Sequence, residues 1–69
     1  MRTIYGIVKT NKTPVYNVLI TSGKNIALSG IDGKFNIETE SNELKLLHIK
    51  YPTKTIKVLE SENYIEVDI

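Results

Sequence analysis

The stretch Ser-Gly-Ile-Asp-Gly-Lys-Phe-Asn-Ile, residues 29–37, decides how this chain is expected to fold. Its Asp32-Gly33 pair precedes a run in which Phe35 and Ile37 alternate with polar residues. Asp-Gly flanked by alternating apolar residues is a strong short-range signal for a β-hairpin. Gly33 can adopt a positive φ without a Cβ penalty, and the Asp32 carboxylate can accept backbone N–H groups of its own turn. We therefore interpret Asp32 and Gly33 as structural turn residues.

Asp32 has poor neighbours for binding a metal or a phosphate. A calcium loop needs several oxygen ligands at alternating positions, and Ile31 and Lys34 supply none. A phosphate cradle needs a helix N-terminus after the loop, whereas the run that follows predicts a strand. Without cysteine, and with His48 as the single histidine, a closed thiolate–histidine zinc site is excluded. The sequence predicts no metal site and no cofactor.

Outward from this turn, short stretches with a period of two residues follow one another along the chain. Ten isoleucines, five valines and seven threonines favour strands, because β-branched side chains fit a pleated surface. Helical spacing of apolar residues is weak, and turn residues interrupt the chain every few positions. The pattern predicts seven strands, at residues 2–9, 15–21, 26–29, 34–39, 44–50, 54–60 and 63–69.

The predicted links are two to five residues long, which is too short for a helical crossover between parallel strands. We therefore expect a single domain spanning residues 1–69, all-β, in which seven antiparallel strands form a β-sandwich or a small barrel. Twelve apolar residues share the phase of a common core: Ile4, Val8, Val18, Ile20, Phe35, Ile37, Leu44, Leu46, Ile56, Val58, Ile65 and Val67.

Charge gives little indication of a nucleic-acid partner. Nine basic residues balance eight acidic ones, and Arg2 is the only arginine, the side chain best suited to phosphate. The mild cluster of Lys50, Lys54 and Lys57 is typical of lysines that keep strand edges soluble. No apolar run is long enough to span a membrane and no signal peptide precedes the first strand, so we expect no membrane insertion.

Several blocks of the chain, in order, resemble the carboxypeptidase regulatory-like family. The blocks are Gly-Ile-Val at 6–8, Pro-Val-Tyr-Asn-Val-Leu-Ile at 14–20, Ser-Gly-Ile-Asp-Gly-Lys-Phe-Asn-Ile at 29–37 and the strand ending in Tyr51, with Ile56 and Val58 beyond. The resemblance implies a transthyretin-like (prealbumin-like) β-sandwich of about seven strands. The chain departs from the family at Ser29-Gly30, where Thr-Asp is common, and at Lys50, where a glycine is usual.

The resemblance also implies a non-catalytic accessory module. Such domains lie beside the catalytic domain of certain metallocarboxypeptidases. They also lie at the N-terminus of TonB-dependent receptors and in other envelope proteins of Bacteroidetes-like bacteria, which favours the cell envelope or periplasm. Hydroxyisourate hydrolases share the broader fold, but they depend on several histidines, an arginine and a C-terminal Tyr-Arg-Gly-Ser. This chain has one histidine and ends in Val67-Asp68-Ile69, so that activity does not carry over.

Four apolar residues fall out of phase with the core and predict a protein interface: Ile7, Leu19, Leu47 and Ile49. If they cluster on one sheet, they form an apolar patch that fits a second copy, in a homo-dimer, or a neighbouring domain. Bulges or register shifts that turn these side chains inward are the alternative interpretation.

No catalytic residue is predicted. His48 is the only side chain that titrates near neutral pH without a large perturbation, and the serines Ser29, Ser41 and Ser61 lie in or beside turns. Two alternatives remain open: a minimal hydrolase that uses His48, and a five-stranded OB-like barrel that binds nucleic acid or oligosaccharide. The barrel needs Lys50, Tyr51, Lys54 and Lys57 on one face.

Overall fold

The structure is a computed structural model that describes residues 2–69, and these residues form eight β-strands and no helix. The strands are β1 (Arg2–Thr10), β2 (Thr13–Pro14), β3 (Leu19–Ser22), β4 (Asn25–Leu28), β5 (Lys34–Thr39), β6 (Glu43–His48), β7 (Tyr51–Lys57) and β8 (Tyr64–Asp68). The all-β prediction is confirmed, with eight strands in place of seven. The bounds of β5 coincide with the predicted 34–39.

The first sheet is built around β1. Lys9 pairs with Pro14 of β2 and with Asp68 of β8, which places those two strands at opposite edges of β1. β5 pairs antiparallel with residues 2–7 of β1, on the same edge as β2. The second sheet has the order β4-β3-β6-β7 and is antiparallel throughout.

Both sheets contribute to one apolar core. Its buried residues are Ile4, Val8, Val15, Val18, Ile20, Phe35, Ile37, Leu44, Leu46, Val58 and Val67. Ten of these were predicted; Ile56 and Ile65 are half-buried at its margin, and Val15 was not predicted. A hydrogen bond between the buried hydroxyls of Ser22 on β3 and Thr39 on β5 joins the two sheets.

The prediction of a wholly antiparallel arrangement is wrong at one pair, because β8 lies parallel to β1. The short-link argument applies to strands that are consecutive in the chain. β1 and β8 are the first and last strands, so the entire second sheet lies between them in sequence and serves as the crossover.

The predicted strand at 15–21 is divided between the sheets. Residues 15–18 lead from β2 in the first sheet to β3 in the second, and Asn17 turns the chain with a φ of 66°. The buried Ser29 hydroxyl secures this crossing: it accepts the Val18 N–H at 2.8 Å and donates to the Val15 carbonyl at 2.8 Å. Val15 and Val18 can therefore both point inward although they are three positions apart, an odd spacing that would place them on opposite faces of a regular strand.

The turn predicted at Tyr51-Pro52-Thr53 lies two residues earlier, at Ile49-Lys50, and Pro52 belongs to β7. Proline lacks the N–H that a central strand must donate, but an edge strand tolerates it. β7 is the outer strand of its sheet. Its register against β6 shifts between Leu46 and His48, where β7 carries one extra residue.

The Asp32-Gly33 turn has the expected chemistry but a different role. Gly33 has a φ of 77°, and the Asp32 carboxylate accepts the Lys34 N–H at 3.0 Å. The hairpin prediction is nevertheless wrong, because β4 pairs with β3 and β5 pairs with β1. The turn carries the chain from the second sheet back to the first.

Candidate protein-interaction surface

The outer face of the second sheet carries a row of leucines. Leu19 on β3 lies directly opposite Leu28 of β4 on one side and Leu47 of β6 on the other. Directly opposed residues in a sheet point to the same face, and Leu19 alternates with the buried Ile20. The three leucines therefore point away from the core. We call these residues, together with Ile26 two positions before Leu28, the outer strip.

The exposure of the outer strip increases toward the sheet edge. Leu19 and Leu47 are half-buried by their neighbours, whereas Leu28 is 59% exposed and Ile26 is 70% exposed. Ile26 lies in the next row, where its neighbours Thr21 and Lys45 are polar and bound the strip on that side. The result is a contiguous apolar surface on a small domain, limited by polar neighbours.

The structure brings together some of the four predicted interface residues and separates the others. Leu19 and Leu47 lie side by side. Ile49 follows Leu47 by two positions, in the turn at the same end of the sheet, and is 95% exposed. Ile7 belongs to the first sheet, where it pairs with Lys34 and Glu66. It therefore cannot extend the outer strip.

Ile26 and Leu28 were not predicted as interface residues. A usable signal was present, since Ser22 and Asn25 flank a two-residue turn, Gly23-Lys24, that fixes the β3–β4 register. Counting back from that turn places Leu28 opposite Leu19. The position of Leu47 beside Leu19 had no such local signal, because β3 and β6 are distant in sequence.

His48 is engaged locally at the end of β6. Its ring lies against that of Tyr51, with centroids 5.1 Å apart and planes inclined by 53°. Its Nδ1 accepts the Lys50 N–H at 3.1 Å. The hydroxyl of Ser29 holds the crossing segment and that of Ser41 accepts the Glu43 N–H.

The single arginine has a structural role that the sequence did not indicate. Its Nη1 donates to the carbonyls of Leu59, Glu60 and Glu62 at 2.8, 3.1 and 2.6 Å. Its Nη2 donates to Asn42 Oδ1 at 2.9 Å and to the Val58 carbonyl at 3.3 Å. The planar guanidinium thus holds the β7–β8 loop against the start of β1. Both of its terminal nitrogens are therefore engaged within the chain.

Two lysines also have partners within the chain. Lys9 Nζ lies 2.7 Å from Glu66 Oε1, and this hydrogen bond, with the accompanying charge attraction, raises the pKa of Lys9. Lys54 Nζ donates to the Asp68 carbonyl at 2.7 Å. Of the groups that an OB-like binding face requires, Lys54 is therefore engaged and Tyr51 is half-buried. The two four-stranded sheets also differ from the five-stranded barrel of that alternative.

No protein-family model, curated protein or solved structure matches this chain. Within residues 2–69, no group of three or more histidine, aspartate or glutamate side chains is placed to hold a metal ion. The same residues contain no helix long and apolar enough to cross a membrane. Function must therefore be inferred from the surfaces that the chain presents.

Proposed function

We propose that this chain is a non-catalytic accessory module that acts by binding another protein surface. Its fold is proposed to be a transthyretin-like β-sandwich of the carboxypeptidase regulatory-like type. Two four-stranded sheets around one core, and the order of the resembling sequence blocks, support that assignment. The resemblance also supports a place in the envelope of a bacterial cell, as part of a larger assembly.

The outer strip is the observation that carries the proposal. Contiguous exposed apolar surface on a small domain marks an interaction site, because leaving it in water is unfavourable. The strip crosses three neighbouring strands of one sheet. Two flat sheet faces can stack about 10 Å apart with interdigitating side chains. A second copy of the chain, which presents the same strip, is the partner we propose; a neighbouring domain is the alternative occupant.

Sedimentation of the purified chain over a concentration series tests the proposal. We expect Leu47→Asp and Leu28→Asp each to lower the average mass at high micromolar concentration, because a carboxylate on the strip must be desolvated on docking. Asn36→Asp is the matched control, since Asn36 is exposed on the outer face of the other sheet, between the buried Phe35 and Ile37 of β5. It should leave association unchanged.

Circular dichroism and thermal unfolding establish that each variant retains the fold. A wild-type chain that remains strictly monomeric would contradict the proposal. So would a Leu47→Asp variant in which only stability changes.

A further inference from the structure

The two lateral edges of the molecule differ. At one edge β4 packs against β5, and the Asn25 side-chain amide donates to the Glu38 carbonyl across the gap between the sheets. At the other edge β7 and β8 make few contacts along their length, and the Lys54 side chain crosses between them to the Asp68 carbonyl. A groove of about 450 Å³ separates them there. Both outermost strands on that side are unpaired on their outer edge.

This groove has an apolar floor between lips of opposite charge. Ile56 and Ile65, both half-buried, and the core residue Val67 form the floor. The β7 lip carries Lys54 and Lys57. The β8 lip carries Asp68 and Glu66, of which Glu66 is paired with Lys9 of β1, and Glu62 lies just before the strand. At this edge the core is only partly covered, and the basic residues lie on one flanking strand and the acidic residues on the other.

Both lips also present unpaired backbone groups. On β8, the Asn63 carbonyl and the Ile69 N–H bond to β1. The alternate residues Tyr64 and Glu66 therefore direct their N–H and C=O groups outward, as does the N–H of Asp68, whose carbonyl accepts Lys54 Nζ. On β7, the Val58 N–H bonds to Asn42. Because the direction of the backbone groups alternates along a strand, the N–H and C=O groups of Thr55 and Lys57 point outward.

We propose that this open edge binds a second copy of the chain, with β7 of each copy pairing with β8 of the other. β7 and β8 run in opposite directions, since a short loop joins the end of one to the start of the other. A twofold axis along the strands, between the two molecules, places each β8 antiparallel to the partner's β7. The basic lip of one copy then meets the acidic lip of the other twice, and the apolar floors are covered.

Charge disfavours the other symmetric pairing. If each strand paired with its own equivalent, Glu66 and Asp68 would face a second acidic strand, and Lys54 and Lys57 would face a second basic one. Like charges directly opposite are destabilising in a sheet. Only the exchanged arrangement joins opposite charges at both contacts.

The edge contact is independent of the outer strip. Pairing at an edge extends each sheet sideways and leaves the outer faces free. The edge contact is therefore measured in a Leu47→Asp background, in which association through the strip is removed. We expect this chain to sediment at high micromolar concentration with about twice the 7.8 kDa mass of one copy, and the dimer to weaken as salt concentration rises.

Two charge reversals test which strands meet. The first variant, Lys54→Glu with Lys57→Glu, has two acidic lips; the second, Glu66→Lys with Asp68→Lys, has two basic lips. Each alone should lose the dimer. An equimolar mixture of the two should recover it, and so should one chain carrying all four substitutions. Recovery in the mixture also establishes that both variants are folded.

Matched controls place the same charge changes elsewhere on the surface. Lys12→Glu with Lys24→Glu, both in exposed turns, and Glu38→Lys with Glu40→Lys, at the closed edge, should leave the dimer intact. Amide exchange supplies an independent readout. The outward N–H groups of Tyr64, Glu66 and Thr55 should become protected as concentration rises.

Three outcomes would overturn this inference: a strictly monomeric Leu47→Asp chain, a dimer that survives both reversals, or a mixture that does not recover it. If the Leu47→Asp chain is strictly monomeric and the wild-type chain associates, the outer strip is the self-association surface. A dimer that is lost on reversal but unaffected by Leu47→Asp removes the proposal for the strip and supports the edge contact.

Discussion

Gly33 shows how one residue can satisfy two demands of the fold. Its φ of 77° lies in the left-handed region, which side chains disfavour. Its carbonyl also accepts the Val8 N–H at 2.8 Å, at the point where β2 and β5 share the edge of β1. A Cβ there would lie 2.5 Å from the Val8 oxygen and 3.1 Å from Pro14 Cβ. Both the turn and the close packing of the backbone require glycine.

Gly33→Ala is expected to lower the free energy of unfolding by about 2–4 kcal/mol, combining the positive φ with the clash against β1. Gly23→Ala is the matched control, since Gly23 has a φ of 58° but no atom within 4 Å of an added Cβ. It should cost only about 1 kcal/mol. Denaturant unfolding measures both, and equal losses would show that the contact with Val8 and Pro14 is unimportant.

The hydroxyl of Ser29 makes two hydrogen bonds that stabilise the segment crossing between the sheets. Ser29→Ala leaves the Val18 N–H without its partner and removes a donor from the Val15 carbonyl, and all three residues are buried. We expect a loss of about 2–3 kcal/mol in the free energy of unfolding. Ser61→Ala, at an exposed position, should change it little. A Ser29→Ala chain as stable as the wild type would mean that the crossing segment holds without this hydroxyl.

At the scale of elements, the β7–β8 loop depends on a side chain from the opposite end of the chain. Arg2 provides a rigid fork that reaches several carbonyls at once, a geometry that a lysine cannot reproduce. Inside the loop, the Glu62 N–H donates to the Leu59 carbonyl and the Leu59 N–H to Glu62 Oε1. The loop is therefore closed by its own bonds and fixed in place by Arg2.

Arg2→Gln is expected to lower the free energy of unfolding by about 1–3 kcal/mol, because the loop carbonyls lose charge-assisted bonds. Arg2→Lys should resemble it, although the positive charge is kept. Amide exchange at Leu59 and Glu62 should accelerate in both variants, while exchange in β3 stays unchanged. If Arg2→Lys behaved as the wild type, charge rather than the shape of the fork would hold the loop.

At the scale of the whole molecule, the parallel pairing of β1 with β8 joins the two ends of the chain. β1 lies at the centre of the first sheet and cannot be covered on both edges until β8 is in place. β8 also brings the buried Val67 and the half-buried Ile65 into the core. The fold therefore depends on its last strand.

Deletion of residues 63–69 should abolish cooperative unfolding. A domain of this size has only about 3–5 kcal/mol of net stability, and the loss of Val67 and Ile65 from the core with one whole edge of β1 exceeds that. Deletion of Ile69 alone, which is half-buried and donates its N–H to Lys9, should be tolerated. Thermal unfolding followed by circular dichroism distinguishes the two; a truncated chain with a sharp transition would contradict this view.

The proposed interaction surface was predictable only in part. The period-two pattern correctly indicated that Leu19 and Leu47 lie out of phase with the core. It gave no information on which strands become neighbours, so it placed Ile7 in the same set although Ile7 lies on the other sheet. The charged lips of the open edge were similarly hidden, because β7 and β8 were read as separate amphipathic strands.

The sequence by itself determined the secondary-structure class, the identity of most core residues and the chemistry of the Asp32-Gly33 turn. Those properties are local: alternation, β-branching and glycine's freedom at positive φ act within a few residues. Only the tertiary structure decided that this turn joins two sheets, that β8 lies beside β1, and that Leu28, Leu19 and Leu47 form one row. These pairings link residues far apart in the chain, and they depend on which edges remain free once the shared core has been packed.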